Sequence, residues 1–167
     1  MMLFSIVSIC FGCGFLPLRA AQDAIRVTLP QGQLEGFMQK AKSGRDVAHF
    51  LSVPYAEPPV GQLRFKRSVP VQPRSAVVET KTMPPYCILN TAEISMPVPQ
   101  SEDCLYLNIL TPKVESSSPM LYPVYVWIHG GGFQIGGAEV YSIDGFVNNI
   151  VDRDVVVVIV QYRLGIY

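Results

Sequence analysis

Tyr122-Pro123-Val124-Tyr125-Val126-Trp127-Ile128-His129-Gly130-Gly131-Gly132-Phe133-Gln134-Ile135-Gly136-Gly137 is the stretch that decides the fold. Val124 to Ile128 is β-branched and aromatic with no polar alternation, the composition of a strand buried on both faces. Gly130, Gly131 and Gly132 then abandon side-chain packing altogether. Glycine loses more conformational freedom on folding than any other residue. Three in a row therefore mark backbone that needs unusual φ/ψ or close contact with another group. A core strand that breaks into His-Gly-Gly-Gly and an aromatic is more specific than an ordinary glycine turn.

Downstream, Ile143, Phe146, Val147 and Ile150 stand at helical spacing within Ile143 to Asp152. Asp154 then introduces Val155 to Val160, a run expected as a fully buried strand of parallel-sheet type. Strand, glycine turn, helix and strand make a βαβ unit, for which a right-handed crossover is expected. Upstream, Ile25 to Thr28 and Gly32 to Gln39 flank Leu29-Pro30-Gln31 and read as a β-hairpin. Val47 to Val53 is a third strand stopped by Pro54, and Leu105 to Leu110 a fourth ended by Thr111-Pro112. Pro54 to Pro73 and Met83 to Gln100 are proline-rich, and long loops in a compact domain usually have a job or a tight packing role. Ser116-Ser117-Ser118-Pro119 reads as a surface linker. The expected class is α/β: an antiparallel hairpin start leading into a mostly parallel central sheet.

The chain has 167 residues, the length of one ordinary domain, with 49% hydrophobic and 16% charged residues. Thirteen basic and thirteen acidic residues balance, and no basic patch points to nucleic acid or an anionic membrane surface. Met1 to about Ala21 differs from the rest: an apolar block, then small and breaking residues, then Leu18-Arg19-Ala20-Ala21. It reads as a secretory signal peptide, leaving 22–167 as the domain and an extracellular destination. A membrane anchor is the alternative, but the uncharged run ends at Leu18 and contains Gly12, Gly14 and Pro17, so stable insertion is not expected. Cys10 and Cys13 spell a CxxC inside that signal and carry no redox meaning. The remaining even pair, Cys87 and Cys104, suggests one disulfide in an oxidising compartment. Two cysteines alone cannot make a tetrahedral zinc site, and His49 and His129 are too scattered to complete one, so no metal is expected. No Asn-x-Ser/Thr sequon is present.

A strand ending in His-Gly-Gly-Gly is the oxyanion-hole signature of lipases and esterases, whose backbone N–H groups point at the developing negative oxygen. The nucleophile of that chemistry sits on a Gly-x-Ser-x-Gly elbow. Glycines at that spacing occur here as Gly32/Gly36 and Gly132/Gly136, with Leu34 and Gln134 at their centres. A nucleotide-binding βαβ protein is excluded, because the chain holds no G-x-G-x-x-G or Walker pattern.

Four motifs in order resemble the carboxylesterase type B family of the α/β-hydrolase fold, which includes carboxylesterases, cholinesterases and adhesion relatives. They are Val53-Pro54-Tyr55-Ala56-Glu57-Pro58-Pro59-Val60-Gly61 with Leu63-Arg64-Phe65, Ser101-Glu102-Asp103-Cys104-Leu105-Tyr106-Leu107-Asn108-Ile109, Trp127 to Phe133, and Tyr162-Arg163-Leu164-Gly165. One departure is Gln161, where most members carry Asn. The resemblance implies hydrolysis of small-molecule carboxylic esters without a cofactor. It implies Gly131 and Gly132 as oxyanion donors, a Cys87–Cys104 disulfide and a structural Arg64–Glu102 ion pair. It makes His129 a holder of the glycine turn and not the catalytic base. Tyr141 and Asp144 are left to packing and to helix capping. The triad would lie beyond Tyr167, so the expectation is the N-terminal part of an esterase, inactive alone. The competing class is a non-catalytic adhesion protein on the same fold. Cholinesterases hold their ammonium on a tryptophan in the disulfide loop; Ile88 to Asp103 contains no aromatic residue, which favours a general carboxylesterase.

Overall fold

The computed structural model describes residues 23–90, 98–112 and 121–167. The expected signal segment, Cys10 and Cys13, and the Ser116–Pro119 linker lie outside the described residues. The chain opens with an antiparallel hairpin, β1 (Ala24–Leu29) and β2 (Gly32–Lys40), to which β3 (Asp46–Pro54) adds antiparallel. Two residues of β4 (Val78–Glu79) lie parallel to β2, and β5 (Tyr86–Cys87) with β6 (Gln100–Ser101) forms a separate parallel pair. Then come β7 (Tyr106–Pro112), β8 (Val124–Ile128), helix α1 (Ile143–Asn149) and β9 (Val156–Val160). The main sheet runs β1-β2-β3-β7-β9-β8, with β4 on β2. β7 enters between β3 and β9 and runs against both, so antiparallel pairing extends further than the sequence reading places it. β8 and β9 form the parallel pair that the βαβ reading requires, in a sheet that is mixed.

Period-two alternation sorts β3 onto two faces. Val47 and Leu51 join Phe37, Leu110, Val157 and Ile159 under Val147 of α1, while Ala48, Phe50 and Val53 join Leu34 on the other side. The change of phase between Leu51 and Val53 is a bulge centred on Ser52, whose φ is 60°. The Asn108 side chain meets its cost by accepting the Ser52 N–H at 3.0 Å. A third apolar cluster gathers Ala56, Tyr86, Cys87, Leu89, Cys104, Leu105 and Leu164.

Three local expectations change. The helical stretch Ile143 to Asp152 divides into α1 and a 3-10 turn, Val151–Arg153, separated by Ile150 at φ −126°. Capping falls to Ser142, whose Oγ accepts from the Gly145 N–H at 3.2 Å; Asp144 instead sits in the first turn. The strand Val124 to Ile128, read as buried on both faces, is an edge, with Val124 60%, Val126 53% and Ile128 65% exposed. Burial on both faces needs covering layers and a second neighbour, and among the described residues β8 has β9 on one side only. Among the described residues no helix is long and apolar enough to cross a membrane.

Candidate functional site: the glycine turn

The turn after β8 is built by close approach. A side chain at Gly131 would place its Cβ 1.8 Å from the Ile135 carbonyl oxygen, and φ there is +129°. At Gly136, φ is +105° and a Cβ would fall 2.5 Å from the Gly130 oxygen and 2.7 Å from His129 Nδ1. Only glycine meets both demands at these two positions. Phe133 also takes a left-handed conformation, φ 59°, and stands 73% exposed beside the turn.

Hydrogen bonds fix the carbonyls of this turn, and the planar trans peptide then fixes the N–H groups. His129 Nδ1 lies 2.9 Å from the Gly130 oxygen. A carbonyl only accepts, so the proton is on Nδ1. The Gly130 carbonyl and the Gly131 N–H belong to one peptide plane and point opposite ways. The imidazole thus aims the Gly131 N–H away from itself. The next plane is held the same way: the Gly131 carbonyl accepts from Gln134 N at 3.0 Å and Ile135 N at 3.1 Å, which turns the Gly132 N–H outward. Among the described residues, neither the Gly131 nor the Gly132 amide donates a hydrogen bond. Two adjacent donors, pre-aimed and uncommitted, are what an anionic oxygen requires.

His129 is 3% exposed and lies flat on Tyr162, ring centroids 4.3 Å apart and planes 14° apart. The Tyr162 hydroxyl donates to the His129 carbonyl at 2.5 Å. Burial, with Tyr141 adding, pushes the Tyr162 phenol above its ordinary value, so it stays a protonated donor. Further on, Asn90 N donates to the Gln134 carbonyl at 2.9 Å and Gly165 N to the Phe133 carbonyl at 2.6 Å. Gln161 Oε1 accepts from Ala138 N at 2.8 Å while its Nε2 donates to the Pro85 carbonyl at 3.2 Å. This glutamine therefore ties the end of the turn to the segment that enters β5.

The other residues singled out in the sequence fall around this frame. Cys87 and Cys104 are joined, S–S 2.04 Å, and both are buried. Arg64 and Glu102 meet as a two-pronged pair at 2.5 and 2.6 Å, and the guanidinium holds the carboxyl below its ordinary range. That pair is partly exposed, so it organises the loop more than it stabilises the fold. Trp127 belongs to β8 and meets Tyr141 edge-on at 5.0 Å and Phe146 at 5.8 Å, the packing role expected for Tyr141. His49 sits in β3 among apolar side chains, and no group of three or more His, Cys, Asp or Glu among the described residues could hold a metal. Sequence reasoning missed Tyr162, Asn90 and Gln161 as supports of the turn. No spacing rule reaches them, since they contact it across more than twenty residues.

The Carboxylesterase family profile matches residues 23–167. Carboxylesterase 1E of Mus musculus is 45% identical over 146 residues, covering 80% of this chain and 24% of that protein. Carboxylesterase 1C of Rattus norvegicus is 47% identical over 146 residues, covering 80% and 25%, and liver carboxylesterase 1 of Mus musculus is 47% identical over the same length. The chain spans about a quarter of the length of the curated relatives it matches. With the motif order, the glycine turn and this match together, the chain belongs to the carboxylesterase family.

Proposed function

We propose that this chain is the oxyanion-binding part of a secreted serine carboxylesterase, with Gly131 and Gly132 donating to the tetrahedral intermediate of a small carboxylic ester. The observation that carries the reading is the pair of outward N–H groups fixed by the Gly130 and Gly131 carbonyls. In such chemistry the attacking serine and its base come from a Gly-x-Ser-x-Gly elbow and its partners. The chain contains no such elbow, so by itself it hydrolyses no ester faster than an inert protein. Ile88 to Asp103 offers no aromatic face for a quaternary ammonium, so neutral esters are the substrate class and choline esters are poor ones. Met1 to Ala21 directs export.

The test is a chimera in which residues 23–167 replace the matching segment of mouse carboxylesterase 1E. It should hydrolyse an activated aryl ester, and a Gly131→Pro, Gly132→Pro version should lose at least about 10² in kcat, the scale of one lost oxyanion donor. A folded chimera without activity, or one indifferent to both prolines, refutes the assignment.

A further inference from the structure

We propose that Tyr162 is a positioning residue for the Gly131 N–H, acting through His129; this rests on the oxyanion reading above. The residues on either side of the three glycines, His129 and Phe133, are both gripped by the segment Tyr162 to Gly165. On the first side the Tyr162 hydroxyl donates to the His129 carbonyl at 2.5 Å. On the second, Gly165 N donates to the Phe133 carbonyl at 2.6 Å, and the Phe133 ring meets Tyr162 edge-on at 6.1 Å. The family motif Tyr-Arg-Leu-Gly is thus a clamp that spans the triple glycine.

The grip reaches the donor in two steps. The Tyr162 ring forms the floor under the imidazole, and Gly136 packs against its Nδ1 edge. Held so, Nδ1 donates to the Gly130 carbonyl, and the planar peptide carries that orientation to the Gly131 N–H. Tyr162 is itself anchored: the carbonyl of its neighbour Gln161 accepts the Tyr55 hydroxyl at 2.9 Å. A donor that must not reorganise as the oxyanion forms needs an anchor of this kind. Removing the hydroxyl should loosen the donor selectively in the transition state, where its bond is strongest.

The experiment compares Tyr162→Phe with Tyr106→Phe in the chimera. Both lose one phenolic hydrogen bond, since Tyr106 donates to Asp103 Oδ1 at 2.8 Å, but that bond does not touch the turn. For Tyr162→Phe, kcat should fall about tenfold with KM within about twofold, and a trifluoromethyl ketone should bind about tenfold more weakly. Tyr106→Phe should leave all three unchanged while shifting the melting temperature as much. An unchanged kcat in Tyr162→Phe beside an active parent overturns the clamp, as does an equal fall in both variants. An inactive parent instead fails the functional reading. Crystal structures of parent and Tyr162→Phe then decide the clamp: a rotated His129–Gly130–Gly131 backbone supports it, and an unmoved one overturns it.

Discussion

Replacing His49 with leucine should abolish much of the chain's acid sensitivity. His49 sits in the middle of β3, 1% exposed, opposite Phe37 in β2 and stacked on its ring at 4.8 Å. Neither ring nitrogen has a hydrogen-bond partner among the described residues. Burial pushes the imidazole down to about 4 from its ordinary 6.5, with the Asp144 carboxylate opposing. A depressed histidine stays neutral in the folded chain while the unfolded chain takes up a proton. Its contribution to stability is therefore complete above pH 6.5, falls as the pH drops, and is gone below about 4. The separation corresponds to about 3 kcal/mol lost between pH 6.5 and pH 4. Leucine is close to histidine in volume and has no proton to gain, so the variant keeps that increment. It should also gain about 1–3 kcal/mol at pH 7 by removing the unsatisfied ring nitrogens. Urea unfolding of chain and variant at pH 7, 6, 5 and 4, followed by Trp127 fluorescence at low concentration, measures the difference directly. Carboxylates other than Asp144 contribute equally to both chains, and the Asp144 coupling acts through His49 itself, so the widening of the gap belongs to His49. A gap that is the same at pH 7 and pH 4 refutes the reasoning.

Gly136→Ala should cut kcat of the chimera by about 10²-fold or more, because the new Cβ pushes on the Gly130 carbonyl and so on the plane that carries the Gly131 N–H; steady-state kinetics with an aryl ester checks it. Cys87→Ser with Cys104→Ser should cost about 3 kcal/mol for a closed loop of 17 residues' separation, read as a urea midpoint shift. The chain alone should self-associate through β8, whose Val124, Val126 and Ile128 form an exposed apolar row on an edge that no described strand pairs. Val126→Lys should suppress that association in light scattering without lowering the melting temperature.

Much of the fold was legible because its signals are local. The hairpin announces itself through Leu29-Pro30-Gln31, β7 through the apolar run closed by Thr111-Pro112, and the βαβ unit through the change of period after the glycines. What failed depends on neighbours. Val124 to Ile128 has the composition of an interior strand, and composition records the environment a strand suits, not whether this chain supplies it. The long antiparallel run was equally hidden, because nothing in the β7 sequence says that it inserts between β3 and β9.

The candidate site divides along the same line. Glycines report a conformational demand at their own positions, so Gly131 and Gly132 could be named from sequence. What satisfies the demand is remote: Tyr162 reaches His129 across 33 residues, and Asn90 reaches Gln134 across 44. Residues that hold a functional backbone from a distance carry ordinary chemistry, a phenol or an amide, and no local pattern separates them from packing. The cue available was the motif itself, since Tyr-Arg-Leu-Gly had no role while the glycines did. A motif without chemistry of its own, just past the end of a strand that pairs with the strand leading into the donors, is where support for those donors should be sought. In this chain that support also withholds His129 from base chemistry: with Nδ1 donating to the Gly130 carbonyl, the basic nitrogen is Nε2, which is buried and has no partner among the described residues.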